Sequence, residues 1–209
     1  MLLALFTNLI RADREVRQGR LPLILHPDPK RVAFVGVATG MTVSAALDFP
    51  VERVAGVELL QGVADKLPLF ANWNGDVAND PRVEIVVEDG RNFLAGSHEE
   101  FDVVISDLFV PWHAGTGDLY SVEHYQAARQ RLAPGGIFAQ CLPGYQLSVE
   151  ELRCVTASLL EVFPNSVLWR NDYDIKYPIL CLTGFRDEVS LDQYSFCLHT
   201  ARFRNTNGS

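Results

Sequence analysis

The sequence contains no apolar run long enough to cross a bilayer, no C-x-x-C pair, no excess of basic charge and no internal repeat. Each absence excludes a class of protein. The start, Met1-Leu-Leu-Ala-Leu-Phe6, lacks a basic n-region and meets polar Thr7-Asn8 too early for a signal peptide or a membrane span. It reads as a short strand. The four cysteines, Cys141, Cys154, Cys181 and Cys197, are widely spaced, and Cys141 and Cys181 stand in apolar runs as small hydrophobes. Neither a disulfide framework nor a metal site is expected, and a reducing cytoplasm is the expected compartment. A net charge of −8 argues against nucleic acid or an anionic membrane as partner, since either calls for a basic face. G-x-S-x-G is also missing, and no Ser–His–Asp order is supported, although Ser106 sits beside Asp107.

What is present suits one domain. The 209 residues are 48% hydrophobic and 21% charged, enough for a large core and too apolar for disorder. Pro22, Pro27 and Pro29 argue against a long helix in the lead-in. From Arg31 strands and helices alternate. Strands are expected at Val32–Gly36, Arg53–Glu58, Arg82–Val87, Phe101–Ser106 and Ile137–Leu142, and helices at Met41–Asp48, from Leu60, at Val122–Leu132 and at Val149–Phe163. Pro134-Gly135-Gly136 reads as the turn that ends the third of these helices. Two late β runs, Ser166–Trp169 and Ile179–Thr183, are joined by a short polar link and read as an antiparallel edge hairpin. The whole is a Rossmann-like α/β fold with a mostly parallel seven-stranded sheet. Residues 1–20 form an N-terminal β element, 21–200 the main domain and 201–209 a disordered tail.

Three successive strand ends carry polar chemistry. Gly36-Val-Ala-Thr-Gly40 follows the first strand and opens a helix, so Gly36, Thr39 and Gly40 belong to a tight ligand-approaching loop. The third glycine of G-x-G-x-x-G is absent, which tilts away from NAD and toward adenosylmethionine-type loops. Glu58 ends the second strand, where an acid accepts both ribose hydroxyls, or else opens the next helix. Asp89-Gly90 ends the third, either to accept an adenine amino group or as an Asp-Gly turn. Together they point to a nucleoside site. Asp107 ends the fourth strand at the same edge and is the candidate base. In its loop, Trp112 and Tyr120 are pocket walls or packing, and His113 orients an acceptor, acts as base or simply faces solvent. Gln140 ends the fifth strand and faces the same edge, toward ligand or loop.

Gly36 to Gly40, Glu58, Glu88-Asp-Gly-Arg91, Phe101-Asp102, Asp107, Leu119-Tyr120 and Leu132-Ala-Pro-Gly-Gly136 together resemble the spermidine synthases, the polyamine aminopropyltransferases. The likeness spans about residues 21–185 and is nearest to the spermidine synthase-like domains often fused to membrane segments. With no such segment in its sequence, the chain reads as a detached or stand-alone version. The resemblance implies decarboxylated S-adenosylmethionine as donor, a small amine such as putrescine as acceptor, and Asp107 as the base that frees the attacking nitrogen. It implies Glu58 on ribose, Asp89 beside adenine, and Tyr177-Pro178 lining the amine pocket. The family usually assembles as dimers or tetramers, partly through an N-terminal β-domain of which residues 1–20 are at best a remnant, so the likeness leaves the oligomeric state open, a homodimer included. Two departures stand out. The family has an aspartate contacting the donor's aminopropyl arm where this chain has Thr39, and a second, diamine-gripping aspartate where it has Val110. Each lost carboxylate removes charge pairing on the order of 1–3 kcal/mol. Methyl transfer from intact S-adenosylmethionine, or a silent nucleoside-binding domain, are the alternatives.

Overall fold

Residues 9–109, 115–171 and 174–188 are described by the structure, a computed structural model. Five strands run parallel: β1 (Arg31–Val35), β2 (Arg53–Glu58), β3 (Val83–Val87), β4 (Phe101–Ser106) and β5 (Leu132–Pro143). The near-continuous apolar sequences of β1 and β4 follow from burial on both faces, whereas β3, at the sheet edge, is only partly buried. β6 (Ser166–Arg170) and β7 (Ile179–Phe185) form the expected antiparallel hairpin. The later strand, β7, takes the inner place against β5. The order is β3-β2-β1-β4-β5-β7-β6, so the chain reverses direction across the sheet between β1 and β4. That switch point leaves a crevice beyond the strands' carboxyl ends.

Alternation along β1 divides the core into two layers. Ala33 and Val35 face a cluster with Phe138, Tyr125 and Phe163, in which the rings of Phe138 and Phe163 stack at 5.6 Å. Val32 and Phe34 face the other layer, with Val43, Phe49, Leu67 and Leu23. At the amino edge, the Asp102 carboxylate accepts from the Lys30 and Arg31 N–H groups, both at 2.8 Å. Asp102 therefore pins the start of β1, on the side away from the crevice.

The lead-in differs from expectation. Leu9–Leu25 is a helix, α1, so residues 9–20 are not part of a β element. Residues 1–8 and the tail from 201 lie outside the described residues. Pro22 lies inside α1 and removes the hydrogen bond to the Gln18 carbonyl. Tertiary packing outweighs that loss. Leu23 is fully buried, and Gly19 brings α1 against α2 (Met41–Ser44) so closely that a Cβ there would meet the Thr42 carbonyl oxygen at 2.4 Å. Pro27 and Pro29 follow its end, as punctuation should.

Leu132-Ala-Pro-Gly-Gly136 also differs. It lies within β5, and the pairing jumps from Phe101↔Leu132 to Val103↔Ile137. The extra residues are looped out as a bulge, with Gly135 at φ 76°. The turn chemistry is right, but it kinks a strand where a strand boundary was expected. Among the described residues no helix is long and apolar enough to cross a membrane.

Gly19→Ala tests the docking of α1. Alanine favours an isolated helix by about 1 kcal/mol, but here its methyl meets fixed backbone. Urea denaturation should show a net loss of about 1–3 kcal/mol. A gain would mean that α1 does not hold this position.

Candidate active site

The crevice is a cavity of about 440 Å³, within the size range of small-molecule sites. Gly36, Glu58, Asp89, Gly90 and Asp107 line it, with Leu59, Leu60, Arg91, Leu108, Phe109, Thr116 and Leu119. Thr39 and Gly40 stand behind it in the glycine loop. Gly36 turns at φ 91°, and a Cβ there would press on Phe109 at 3.1 Å and on the Asp107 Cβ at 3.2 Å. The residue is glycine for both reasons. Ala38, in the middle of G-x-A-x-G, has φ 47°, a left-handed conformation that costs a side-chain-bearing residue on the order of 1 kcal/mol.

Glu58 holds that conformation in place. Its Oε2 accepts from the Ala38 N–H at 3.0 Å and the Val37 N–H at 3.3 Å, and its Oε1 from the Leu60 N–H at 3.1 Å. A carboxylate has about four acceptor positions, so Glu58 keeps one on Oε1. Asp89 caps α3 (Gly90–Gly96), accepting from the Arg91 N–H at 2.8 Å. The Arg91 guanidinium also grips it, at 3.2 and 2.9 Å, and holds its carboxyl below the usual range. Gly90 is required because a Cβ would meet Val35 at 2.4 Å.

Asp107 differs from both. Its Oδ1 accepts from the Leu108 N–H at 2.7 Å, and it is half-buried. Burial pushes its carboxyl up to about 6; the charges of Glu15 and Glu58 push the same way, and Leu108 and Thr42 pull back. A carboxyl with this balance can exchange a proton near neutral pH.

The remaining expected residues fall into three groups. Gln140 is fully buried and donates to the Asp107 carbonyl at 3.4 Å and to the Cys141 carbonyl at 3.2 Å. Its Oε1 has no partner among the described residues. Tyr120 is buried off the cavity, and its hydroxyl donates to the Phe109 carbonyl at 3.1 Å, so it packs the loop. Tyr177 is exposed and meets the Tyr145 ring edge-on at 5.4 Å. Val110, Trp112 and His113 lie outside the described residues. Two contacts were not legible in the spacing. Ser106 hydrogen-bonds the buried His124 at 3.2 Å beneath the site, where burial lowers the imidazole to about 4 and keeps it neutral. Glu15, from α1, accepts from the Thr39 hydroxyl at 3.1 Å.

Residues 19–168 match the spermine/spermidine synthase domain. The chain belongs to that family. It is 35% identical to polyamine aminopropyltransferase 1 of Pseudomonas aeruginosa over 140 residues, 66% of this chain and 48% of that protein. It is 33% identical to spermidine synthase of Dictyostelium discoideum over 146 residues, 69% and 51% respectively. This family member thus spans about half the length of these relatives. A spermidine synthase solved with the transition state analogue AdoDATO superposes with a TM-score of 0.77 at 22% identity, covering 93% of this chain and 65% of that one. Human methyltransferase-like protein 13 with SAH gives 0.71 at 18% identity, covering 96% and 93%. At such identities the two structures show the shared fold.

The Asp107 carboxyl has a thermodynamic consequence. Its native value lies above the unfolded value of about 3.9, so between those values the native state holds more protons and stability falls as pH rises. Asp107→Asn keeps the oxygen that accepts from Leu108 and removes that loss. It should raise stability at pH 7 by about 1–3 kcal/mol and leave it nearly unchanged at pH 4. Urea denaturation at the two pH values measures the difference; no gain at pH 7 would refute the raised value.

Proposed function

We propose that this chain transfers an aminopropyl group from decarboxylated S-adenosylmethionine to a small amine such as putrescine, with Asp107 as general base. The observation that carries the reading is a carboxyl near neutral titration at the crevice floor. It lines the same crevice as two acids suited to a nucleoside, Glu58 and Asp89, in a member of the spermine/spermidine synthase family. The adenine would lie against the apolar wall formed by Leu59, Leu108 and Leu119, with its amino group toward Asp89. Glu58 would accept one ribose hydroxyl on its remaining Oε1 position, and a second in place of the long Val37 bond.

An aliphatic diamine is protonated at neutral pH and cannot attack in that form. Ionised Asp107 takes one proton from the ammonium. The freed nitrogen attacks the methylene beside the sulfonium, a C–N bond forms, the C–S bond breaks, and its electron pair leaves on sulfur as neutral methylthioadenosine. The proton passes from Asp107 to solvent. The free thiols of buried Cys141 and Cys181 fit a reducing cytoplasm, where we place the reaction.

Methyl transfer from intact S-adenosylmethionine is the second reading. It is favoured by Thr39, which stands where the family's arm-binding acid is expected. Calorimetry with both donors separates the two: tighter binding of the decarboxylated donor supports the first, and preference for the intact donor sinks it.

If Asp107 is the base, kcat/KM should rise with pH through about 6, as the carboxyl ionises. Asp107→Asn should lower kcat at least about 100-fold with donor affinity retained. Turnover near the wild-type rate in that variant would refute the assignment.

A further inference from the structure

Thr39 removes an acid from the glycine loop, yet the fold returns a carboxylate to the same point. Thr39 Oγ1 donates to Glu15 Oε2 at 3.1 Å across a sequence separation of 24 residues. Helix α1 presents Glu15 there because Gly19 allows backbone contact with Thr42 and Leu23 is buried in the core. On the other side, Arg14 pairs with the Asp174 carboxylate at 3.6 Å and donates to the Tyr177 carbonyl. α1 thus spans the glycine loop and the late segment bearing Tyr177. Glu15 is near enough to Asp107 to oppose its ionisation.

Two further observations concern acceptors. Gln140, fully buried beside Asp107, leaves its Oε1 unpartnered among the described residues. Gln18, on the face of α1 that Glu15 shares one turn earlier, is 4% exposed and also leaves Oε1 unpartnered. Asp107 thus has two carboxylates, Glu15 and Glu58, close enough to oppose its ionisation, and an unpartnered acceptor beside it in Gln140. A primary ammonium brings positive charge and three N–H donors.

We propose that Glu15 binds the primary ammonium of the donor's aminopropyl arm and so selects decarboxylated over intact S-adenosylmethionine. This rests on the donor reading above. The intact donor would set its own carboxylate against Glu15 and Asp107, an unpaired like charge in a partly desolvated site. The decarboxylated arm offers the cation alone. Glu15 thereby does from α1 what the missing loop acid would do, and Thr39 orients it.

The test compares three ligands by calorimetry on the whole chain: decarboxylated S-adenosylmethionine, the intact form, and methylthioadenosine, which has the nucleoside and sulfur but neither the aminopropyl arm nor the sulfonium charge. Glu15→Gln should weaken the decarboxylated donor by about 10- to 100-fold and leave methylthioadenosine unchanged, so that the preference over the intact donor shrinks. Adding Thr39→Asp to Glu15→Gln should restore that preference. Equal weakening of methylthioadenosine would overturn the proposal, showing Glu15 to be a structural pin for the glycine loop. So would an unchanged preference. A wild-type chain that binds none of the three, or favours the intact donor, sinks the donor reading itself, and with it the role of Glu15, before any variant is measured.

Discussion

The Asp107 N–H donates to the Val35 carbonyl at 2.9 Å, and this last hydrogen bond between the ends of β1 and β4 sets the floor of the site. Beyond it the two chains separate, the glycine loop to one side and the Asp107 loop to the other. The absence of a side chain at Gly36 lets the loops touch there, with Asp107 and Phe109 against its Cα. Strand order puts this parting at the switch point, where no crossover fills the space. The cavity follows from that topology, and its acids are the residues that happen to end each strand.

Three acids share this edge but differ in what surrounds them. Asp89 has a guanidinium and a helix N-terminus, which hold it ionised. Glu58 is committed to backbone N–H groups and supports a left-handed Ala38. Asp107 has a single N–H on its carboxylate oxygen and two carboxylates nearby, and it titrates high. Partners, more than residue type, tie Glu58 and Asp89 into hydrogen-bond networks and leave Asp107 with a raised carboxyl. The cost of that arrangement falls on folding stability, which is a common property of reactive sites.

Much of this was legible in the residues themselves. Apolar runs such as Val32–Val35 and Val103–Ile105 must be strands buried on both faces, and Gly-rich or acidic strand ends mark the ligand edge. Asp89-Gly90 was read as a turn or a ligand acid, and the structure makes it a helix cap that also faces the cavity. Pro134-Gly135-Gly136 was read as a boundary, because local turn chemistry does not reveal whether a partner strand will pair on both sides of it. The α1 helix was obscured by Pro22, whose local penalty is overcome by the packing of Gly19 and Leu23.

The sequence by itself determined the α/β alternation, the edge that carries the candidate site and the acids at three strand ends, because period and strand-end position are local properties. Only the tertiary structure decided which acid stays poised, since that depends on whether an arginine, a backbone N–H or another carboxylate lies within a few ångströms. It alone joined Glu15 to Thr39. A residue pair set by helix docking leaves no periodic trace in the chain.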